Sequence, residues 1–225
     1  AYCTMVGVPD AACAPSNEVD ASGERKILRV RKLWTQAMPV HGTRAEAYLR
    51  ARGILASAWS SVLRFLPHAT SLDDKRKRPA LIAAITNHQG DLQGVQITLL
   101  TPCGRDKAAI ETPRRIIGKL SGGVVRLGDG NGEGALIVGE GVETSLSASE
   151  ALKAPAWSAL TAGNLARFEP PDWIRRLIIA ADRGPAGEAA AATLADRMAE
   201  RGLPAETILA PDAYPDWNDW ARRRL

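Results

Sequence analysis

The C-terminal half of the chain alternates short apolar runs with segments of helical periodicity. Four apolar runs predict buried strands: Ala135–Val138, Ala156–Leu160, Leu177–Ala181 and Thr207–Leu209. Four further segments predict helices: Val142–Lys153, Asn164–Phe168, Glu188–Arg201 and Pro215–Arg224. Strands that alternate with helices are typical of a mostly parallel sheet flanked by helices. We therefore expect an α/β domain over residues 134–225.

The N-terminal half has a different pattern. Small and polar residues predict a flexible arm over Ala1–Gly23, and apolar positions at helical spacing predict a helix over Glu24–Met38. Thr43, with Glu46 three residues later, is a candidate N-cap of a second helix. Three runs predict strands, the last two joined as a hairpin: Ser61–Leu66, Pro79–Thr86 and Leu92–Leu100. We expect a smaller α+β subdomain over residues 24–133, with three or four antiparallel strands.

An acidic residue follows each of two predicted strands. Glu140 lies between two glycines after the first strand of the α/β domain, and Asp182 directly follows the run that ends at Ala181. Parallel strands bring their carboxyl ends to one edge of a sheet, where ligands bind, so these acids should lie close together. Paired carboxylates there suit Mg²⁺. For Glu140 alone, an acid favoured by a helix dipole is an equally good interpretation.

Three segments carry a resemblance to a known family: GEGVETSLSA (residues 139–148), AADRGPAGEAA (180–190) and DWND (216–219). Together they resemble the Toprim domain, and within it the primase-like Toprim proteins of phages, plasmids and other mobile elements. GTRAEAYLRARGI (residues 42–54) is similar to the region that precedes Toprim in such primases. Toprim domains also occur in topoisomerases and in some nucleases.

The resemblance implies a set of site residues. Glu140 matches the family's first acid, as general base or metal ligand, and Asp182 matches the first acid of an Asp-x-Asp pair. Asp216 or Asp219 matches a further acid downstream. Gly184 stands where the second Asp of the pair is expected, which leaves one metal ligand fewer.

The resemblance also implies cofactors and partners. Mg²⁺ or Mn²⁺ would bind at the acids, and ribonucleoside triphosphates would be joined into short RNA primers on single-stranded DNA. A replicative helicase domain or protein is a further candidate partner.

Basic residues interleave with glycines between Lys107 and Arg126. Such loops can bind phosphates through backbone N–H groups, although no P-loop motif is present. A twisted hairpin with a charged exterior explains the same residues. The candidates for nucleotide or nucleic-acid binding are Lys107, Arg114, Arg115, Lys119, Arg126 and Arg183. The basic run Lys75–Arg78, in a predicted polar loop, is more simply a solvated loop.

Composition narrows the choice of function. A net charge of +4 and a pI near 9.2 are compatible with a nucleic-acid partner. The three cysteines form neither a disulfide framework nor a zinc motif, and no signal peptide or membrane-spanning run is visible, so we expect a cytoplasmic protein. Three functions compete: a primase-like nucleotidyltransferase, a Toprim nuclease, and a catalytically weakened nucleic-acid-binding module. No tyrosine lies in a motif that favours a topoisomerase.

Overall fold

The computed structural model describes residues 17–56, 59–129, 134–211 and 214–224, with side chains from residue 22 onward. Within these ranges the chain forms two five-stranded sheets and six helices. The first sheet is antiparallel and the second is mostly parallel, as the sequence pattern predicted. None of the helices in these ranges is long and apolar enough to cross a membrane.

The first sheet has the strand order β1-β2-β3-β4-β5. Its strands are β1 (Met38–Pro39), β2 (Leu63–Thr70), β3 (Lys77–Thr86), β4 (Leu92–Leu99) and β5 (Arg114–Gly118). The predicted hairpin is confirmed as β3 and β4. The sheet is larger than expected because residues 38–39 add a short edge strand and the segment between Lys107 and Arg126 supplies β5. The predicted loop Thr70–Arg78 is shorter than expected, since β2 and β3 extend into it from both sides.

Two helices cover opposite faces of this sheet. They are α1 (Asn17–Gln36) and α2 (Arg44–Ala51). Val30 of α1 packs with Ile82 and Ile97, whereas Leu49 of α2 packs with alternate residues of the same strands, such as Leu81 and Ala83. The Thr43 N-cap is confirmed, because its hydroxyl accepts a hydrogen bond from the Ala45 N–H at 3.2 Å.

The start of α1 corrects the predicted arm. Residues 17–23 are helical, and the expected arm over Ala1–Gly23 is therefore wrong for them; residues 1–16 lie outside the described part of the chain. Acidic residues at positions 18 and 20 favour a helix N-terminus there, because they complement the helix dipole. Gly23 lowers helix propensity by only about 1 kcal/mol relative to Ala, too little to prevent the helix.

The second sheet has the order β10-β9-β7-β8-β6. Its strands are β6 (Val125–Arg126), β7 (Ala135–Gly139), β8 (Ala156–Ser158), β9 (Arg176–Ala181) and β10 (Ala205–Leu209). Only β6 runs antiparallel, against β8, and it comes from the segment assigned to the N-terminal subdomain. The helices of this half are α3 (Val142–Leu152), α4 (Ala162–Leu165), α5 (Pro185–Glu200) and α6 (Trp217–Arg222).

The central strands β7 and β9 are buried on both faces, which explains their uninterrupted apolar runs. Leu136 and Val138 pack towards α4 and α5, whereas Ile137 packs towards α3 and α6. The two strands are parallel neighbours, with Gly139 opposite Ala180. The residues that follow them therefore leave the sheet at the same edge.

Candidate active site

Glu140 and Asp182 emerge from neighbouring strands at the carboxyl edge of the second sheet. Adjacent strands lie about 4.8 Å apart, so the two acids lie close together at this edge of the sheet. Burial, with the charges of Asp216 and Glu140, raises the pKa of Asp182 to about 7, although a hydrogen bond from Thr144 opposes that shift. The expected proximity of the acids is thus confirmed, and Asp216 joins them.

Asp182 has a carboxylate oxygen without a hydrogen-bond partner among the described residues. Its Oδ1 atom is buried and accepts no hydrogen bond from any described residue. A buried carboxylate oxygen without a donor is costly, and a cation is one way to satisfy it. Burial also raises the pKa of Glu140, against a hydrogen bond from the Ala162 backbone N–H and the charge of Arg114.

The two downstream acids differ in position. Asp216 caps the N-terminus of α6, accepting a hydrogen bond from the Asp219 N–H at 2.7 Å, and its charge acts on Asp182. The carboxylate of Asp219 lies instead 3.8 Å from Arg222 Nη1. Asp216 is therefore the better match to the downstream acid, and metal binding by Asp219 stays a prediction.

The acids suit a cation that keeps part of its water shell. Among the described residues, no group of three acidic, histidine or cysteine side chains is arranged to hold a metal ion directly. Mg²⁺ usually retains several waters and binds through one or two carboxylates plus substrate phosphates. The orphaned oxygen of Asp182, with Glu140 and Asp216 beside it, fits such a site.

Gly184, which stands where the family pattern has an acid, also has an unusual backbone conformation. Its φ of +117° lies in a region that L-residues rarely adopt, although a Cβ there would meet no atom within 4 Å. Gly187 is constrained by space instead, because a Cβ would lie 2.4 Å from the Asp182 carbonyl oxygen. These glycines let α5 begin directly against the end of β9.

Glu143 forms a buried link between the two halves of the chain. It accepts hydrogen bonds from the Tyr48 hydroxyl at 2.5 Å and from Arg114 Nη2 at 3.0 and 3.1 Å. Burial works to raise the pKa of Glu143, but Arg114, Lys107 and the Tyr48 hydroxyl outweigh it and hold that pKa below its usual range. An acid in the first turn of a helix is ordinarily explained by the helix dipole, so the sequence indicates no link between Glu143 and Tyr48. The missed signal was a tyrosine on the apolar face of α2, since a buried hydroxyl requires a partner.

The basic candidates on and around β5 do not share one surface. Successive side chains on a strand point to opposite faces, so Arg114 faces Glu143 while Arg115 faces the other way, donating from Nη2 to the Thr70 carbonyl at 2.6 Å. Lys107 lies on the Glu143 side and Lys119 is exposed beyond the end of β5. The strand β5 divides the segment between Lys107 and Arg126, so the segment does not form one continuous loop, and phosphate binding by its residues stays a prediction.

Two further candidates hold backbone segments together. Arg126 donates from Nη2 to the carbonyls of Asn87 and His88, both at 2.8 Å, and stacks on the Trp157 ring. Arg183 donates to the carbonyls of Ala210 and Tyr214, which ties the β9–α5 turn to the segment before α6. Nucleotide or nucleic-acid binding by the six basic candidates stays a prediction.

Comparison with known proteins agrees with this architecture. Residues 135–225 match the Toprim domain, and residues 24–127 match a domain of unknown function, DUF7146. A search of curated proteins found no match.

Several solved primase structures are similar to this chain. The DnaG primase catalytic domain bound to ssDNA is 16% identical over 90% of this chain and 76% of its own, with a TM-score of 0.60. The Aquifex aeolicus primase (zinc-binding and RNA polymerase domains) is 16% identical over 91% of this chain and 57% of its own, with a TM-score of 0.54. The primase fragment of the bacteriophage T7 primase-helicase protein is 20% identical over 68% of this chain and 59% of its own, with a TM-score of 0.46.

Two of these structures extend well beyond the matched region. The chain spans 59% of the T7 fragment and 57% of the Aquifex structure. For the DnaG catalytic domain and the Aquifex structure, with TM-scores of 0.60 and 0.54, the similarity at such low identities establishes a shared fold. Residues 135–225 thus carry a Toprim domain, within a fold similar to that of solved primase structures.

Proposed function

We propose that this protein is a primase-like nucleotidyltransferase that makes short RNA primers on single-stranded DNA, with Mg²⁺ or Mn²⁺ as cofactor. The observation that carries the proposal is the convergence of Glu140, Asp182 and Asp216 at one sheet edge, with the buried Asp182 Oδ1 unpaired. The primase-like fold supports the same choice. The proposal includes single-stranded DNA as the template, ribonucleoside triphosphates as substrates and a helicase as a partner.

The reaction joins a 3′-hydroxyl to the α-phosphate of a nucleoside triphosphate and releases pyrophosphate. A divalent cation held at the acids would supply neutralisation of phosphate charge and a lowered pKa for the attacking hydroxyl. Asp182 and Asp216 anchor that site from β9 and α6. Glu140, at the end of β7, is placed to accept the hydroxyl proton or to complete the ligand set.

Arg114 supplies a positive charge that acts on this set of acids. It acts on the pKa values of both Glu140 and Asp182, and Glu143 and Tyr48 fix its position from the other side. The Arg114 Nε atom is buried and has no hydrogen-bond partner. A guanidinium held in this way beside carboxylates can contact a triphosphate without being displaced.

One observation favours a second function. Gly184 replaces an acid of the family pattern, and its backbone is in a glycine conformation. A site with fewer ligands binds a cation more weakly, which favours a nucleic-acid-binding module with little catalysis.

Primer synthesis in vitro tests the proposal. Single-stranded DNA, labelled ribonucleotides and Mg²⁺ or Mn²⁺ are combined with wild type, Glu140→Gln, Asp182→Asn and the control Asp196→Asn, an exposed acid on α5. We expect short RNA products from wild type and the control, and a loss of about 100-fold or more in the two site variants, the scale of a removed general base or metal ligand. Cleavage of the template would establish the nuclease instead. If neither RNA products nor cleavage of the template is detected, the binding module is the function that remains.

A further inference from the structure

Four cations lie together on the face of the first sheet that is turned away from the acids. Lys26 and Arg29 belong to α1, which covers this face; Arg115 lies on β5, and Lys119 directly follows β5. We call these four residues the α1–β5 surface. A groove of about 460 Å³ runs through it, lined by Gly23, Lys26, Ile27, Gln93, Gly118 and Lys119.

Three of the four cations have no acidic partner among the described side chains. The side chains of Lys26, Arg29 and Lys119 are exposed and form no hydrogen bond or ion pair with any described residue. Between residues 22 and 36, α1 has five Lys or Arg residues and a single acid, Glu24. An ordinary solvated helix face mixes both signs, because neighbouring like charges destabilise a helix.

Arg115 sharpens the imbalance. Burial and the nearby charge of Arg29 lower its pKa, with Asp73 as the acid that opposes them. Its Nη2 donates to the Thr70 carbonyl, but its buried Nε has no partner. The guanidinium groups of Arg29 and Arg115 thus lie near each other, an arrangement that a phosphate would stabilise.

The strand β5 connects this surface to the acids. It is the edge strand of the first sheet, and Arg114 and Arg115 are adjacent on it. Arg114 faces Glu143 on the acid side, whereas Arg115 faces α1. A bound polymer that crosses the edge of β5 would therefore pass from Arg114, on the acid side, to the cations of the α1–β5 surface.

The geometry favours a flexible, phosphate-rich partner. A single strand can bend around the edge of a sheet, whereas duplex DNA, with a persistence length of about 150 base pairs, resists such a bend. The groove has no aromatic lining residue on which a base could stack, so contacts would go to phosphates and carry no sequence preference.

We propose that the α1–β5 surface binds the phosphate backbone of single-stranded DNA that continues from the acids over the edge of β5. The proposal rests on the proposed function only for the identity of that strand. It adds a second binding segment, on the opposite face of the first sheet from the reacting groups.

Oligonucleotide binding tests this proposal without any catalysis. Fluorescence anisotropy is measured with labelled oligothymidylates of about 6 and about 20 nucleotides, in EDTA and over a series of salt concentrations. The surface variant is Lys26→Gln/Arg29→Gln/Lys119→Gln. The control, Arg31→Gln/Arg176→Gln/Arg223→Gln, removes the same charge from exposed arginines elsewhere. Arg31 is a sharp comparison because it lies about 200° around α1 from Arg29.

We expect the surface variant to bind the longer oligonucleotide about 30-fold more weakly near 0.15 M salt, with a salt slope reduced by about 2, since each phosphate contact contributes about 0.7. The shorter oligonucleotide and the control variant should show little change, and a duplex of equal length should bind more weakly. Equal losses in both triple variants, an unchanged salt slope or equal binding of the duplex would overturn the proposal. Because no free divalent cation or nucleoside triphosphate is present, this result is independent of whether primers are made.

Discussion

Tyr48 and Glu143, 95 positions apart in the chain, share a buried hydrogen bond of 2.5 Å between hydroxyl and carboxylate. Tyr48 lies on α2, against the first sheet, and Glu143 is in the first turn of α3, next to the acids of the second sheet. The bond therefore fixes the two halves of the molecule together at the candidate active site. It also orients Glu143 towards Arg114.

Tyr48→Phe tests this link with little other change. The ring remains for packing and for the contact with Arg52, and only the hydroxyl is lost. We expect the free energy of unfolding to fall by about 1.5–3 kcal/mol, the range for a buried hydrogen bond to a charged group. Chemical denaturation of both proteins measures it. A variant as stable as wild type would show that the bond contributes nothing to stability.

The titration of Asp182 gives a pH-dependence. Its pKa is about 7 in the folded protein and near 3.8 when unfolded, so the folded state binds the extra proton between these values. Stability contributed by this group is therefore present at low pH and lost as the pH rises towards 7. In EDTA, we expect Asp182→Asn to gain melting temperature over wild type progressively from about pH 4 to pH 8.

The same titration is coupled to cation binding. The carboxylate must lose its proton before it can bind a cation, so Mg²⁺ should shift the titration of Asp182 to lower pH. Carboxyl ¹³C NMR follows both effects at the single residue. A pKa near 4 in the absence of cations would contradict the buried, acid-flanked environment described for Asp182.

Gly184→Asp tests the departure from the family pattern. An Asp restores the missing carboxylate, and the space for its side chain is open, but a φ of +117° strains any L-residue by about 1–3 kcal/mol. Gly184→Ala carries the same strain without the carboxylate and is the matched control. We expect both variants to be less stable than wild type. We also expect the Asp variant to bind Mn²⁺ more tightly than the Ala variant. Equal affinities would place residue 184 outside the cation site.

Asn164 is expected to provide a second hydrogen-bonded link between the two sheets. Its buried amide donates to the carbonyls of Gly123 and Ala159 at 2.7 and 2.9 Å and accepts from the Gly122 N–H at 3.2 Å. Asn164→Ala leaves these three groups without a partner and should cost about 3 kcal/mol. Asn164→Asp keeps the acceptor but loses both donated bonds, so it should be destabilised as well. Thermal unfolding of either variant at the wild-type temperature would refute this role.

The strand ends were predictable from the sequence and the contacts across the molecule were not. Glu140 and Asp182 could be placed together because each follows an apolar run, and parallel strands align their carboxyl ends. Tyr48 and Glu143 could not be paired, because neither residue has a local pattern that names a partner 95 positions away. Local patterns report burial; they do not report which buried groups meet.

The basic segment shows a second limit. Interleaved Lys, Arg and Gly residues between Lys107 and Arg126 indicate charge near a turn, but only the strand at Arg114–Gly118 decides that Arg114 and Arg115 face opposite sides. The start of α1 was missed for a related reason. A Pro- and Ser-containing segment up to Gly23 looks unstructured by composition, whereas packing of α1 on the first sheet stabilises a longer helix.

We propose that the acids at this sheet edge bind a divalent cation although residue 184 is a glycine. Calorimetric titration of Mn²⁺ at about pH 8, above the pKa of Asp182, measures it most directly, with Asp182→Asn, Glu140→Gln and the control Asp196→Asn. We predict saturable binding by wild type and the control, weakened by about tenfold or more in the two site variants. Binding that is equally weak in wild type and in Asp182→Asn would contradict the claim.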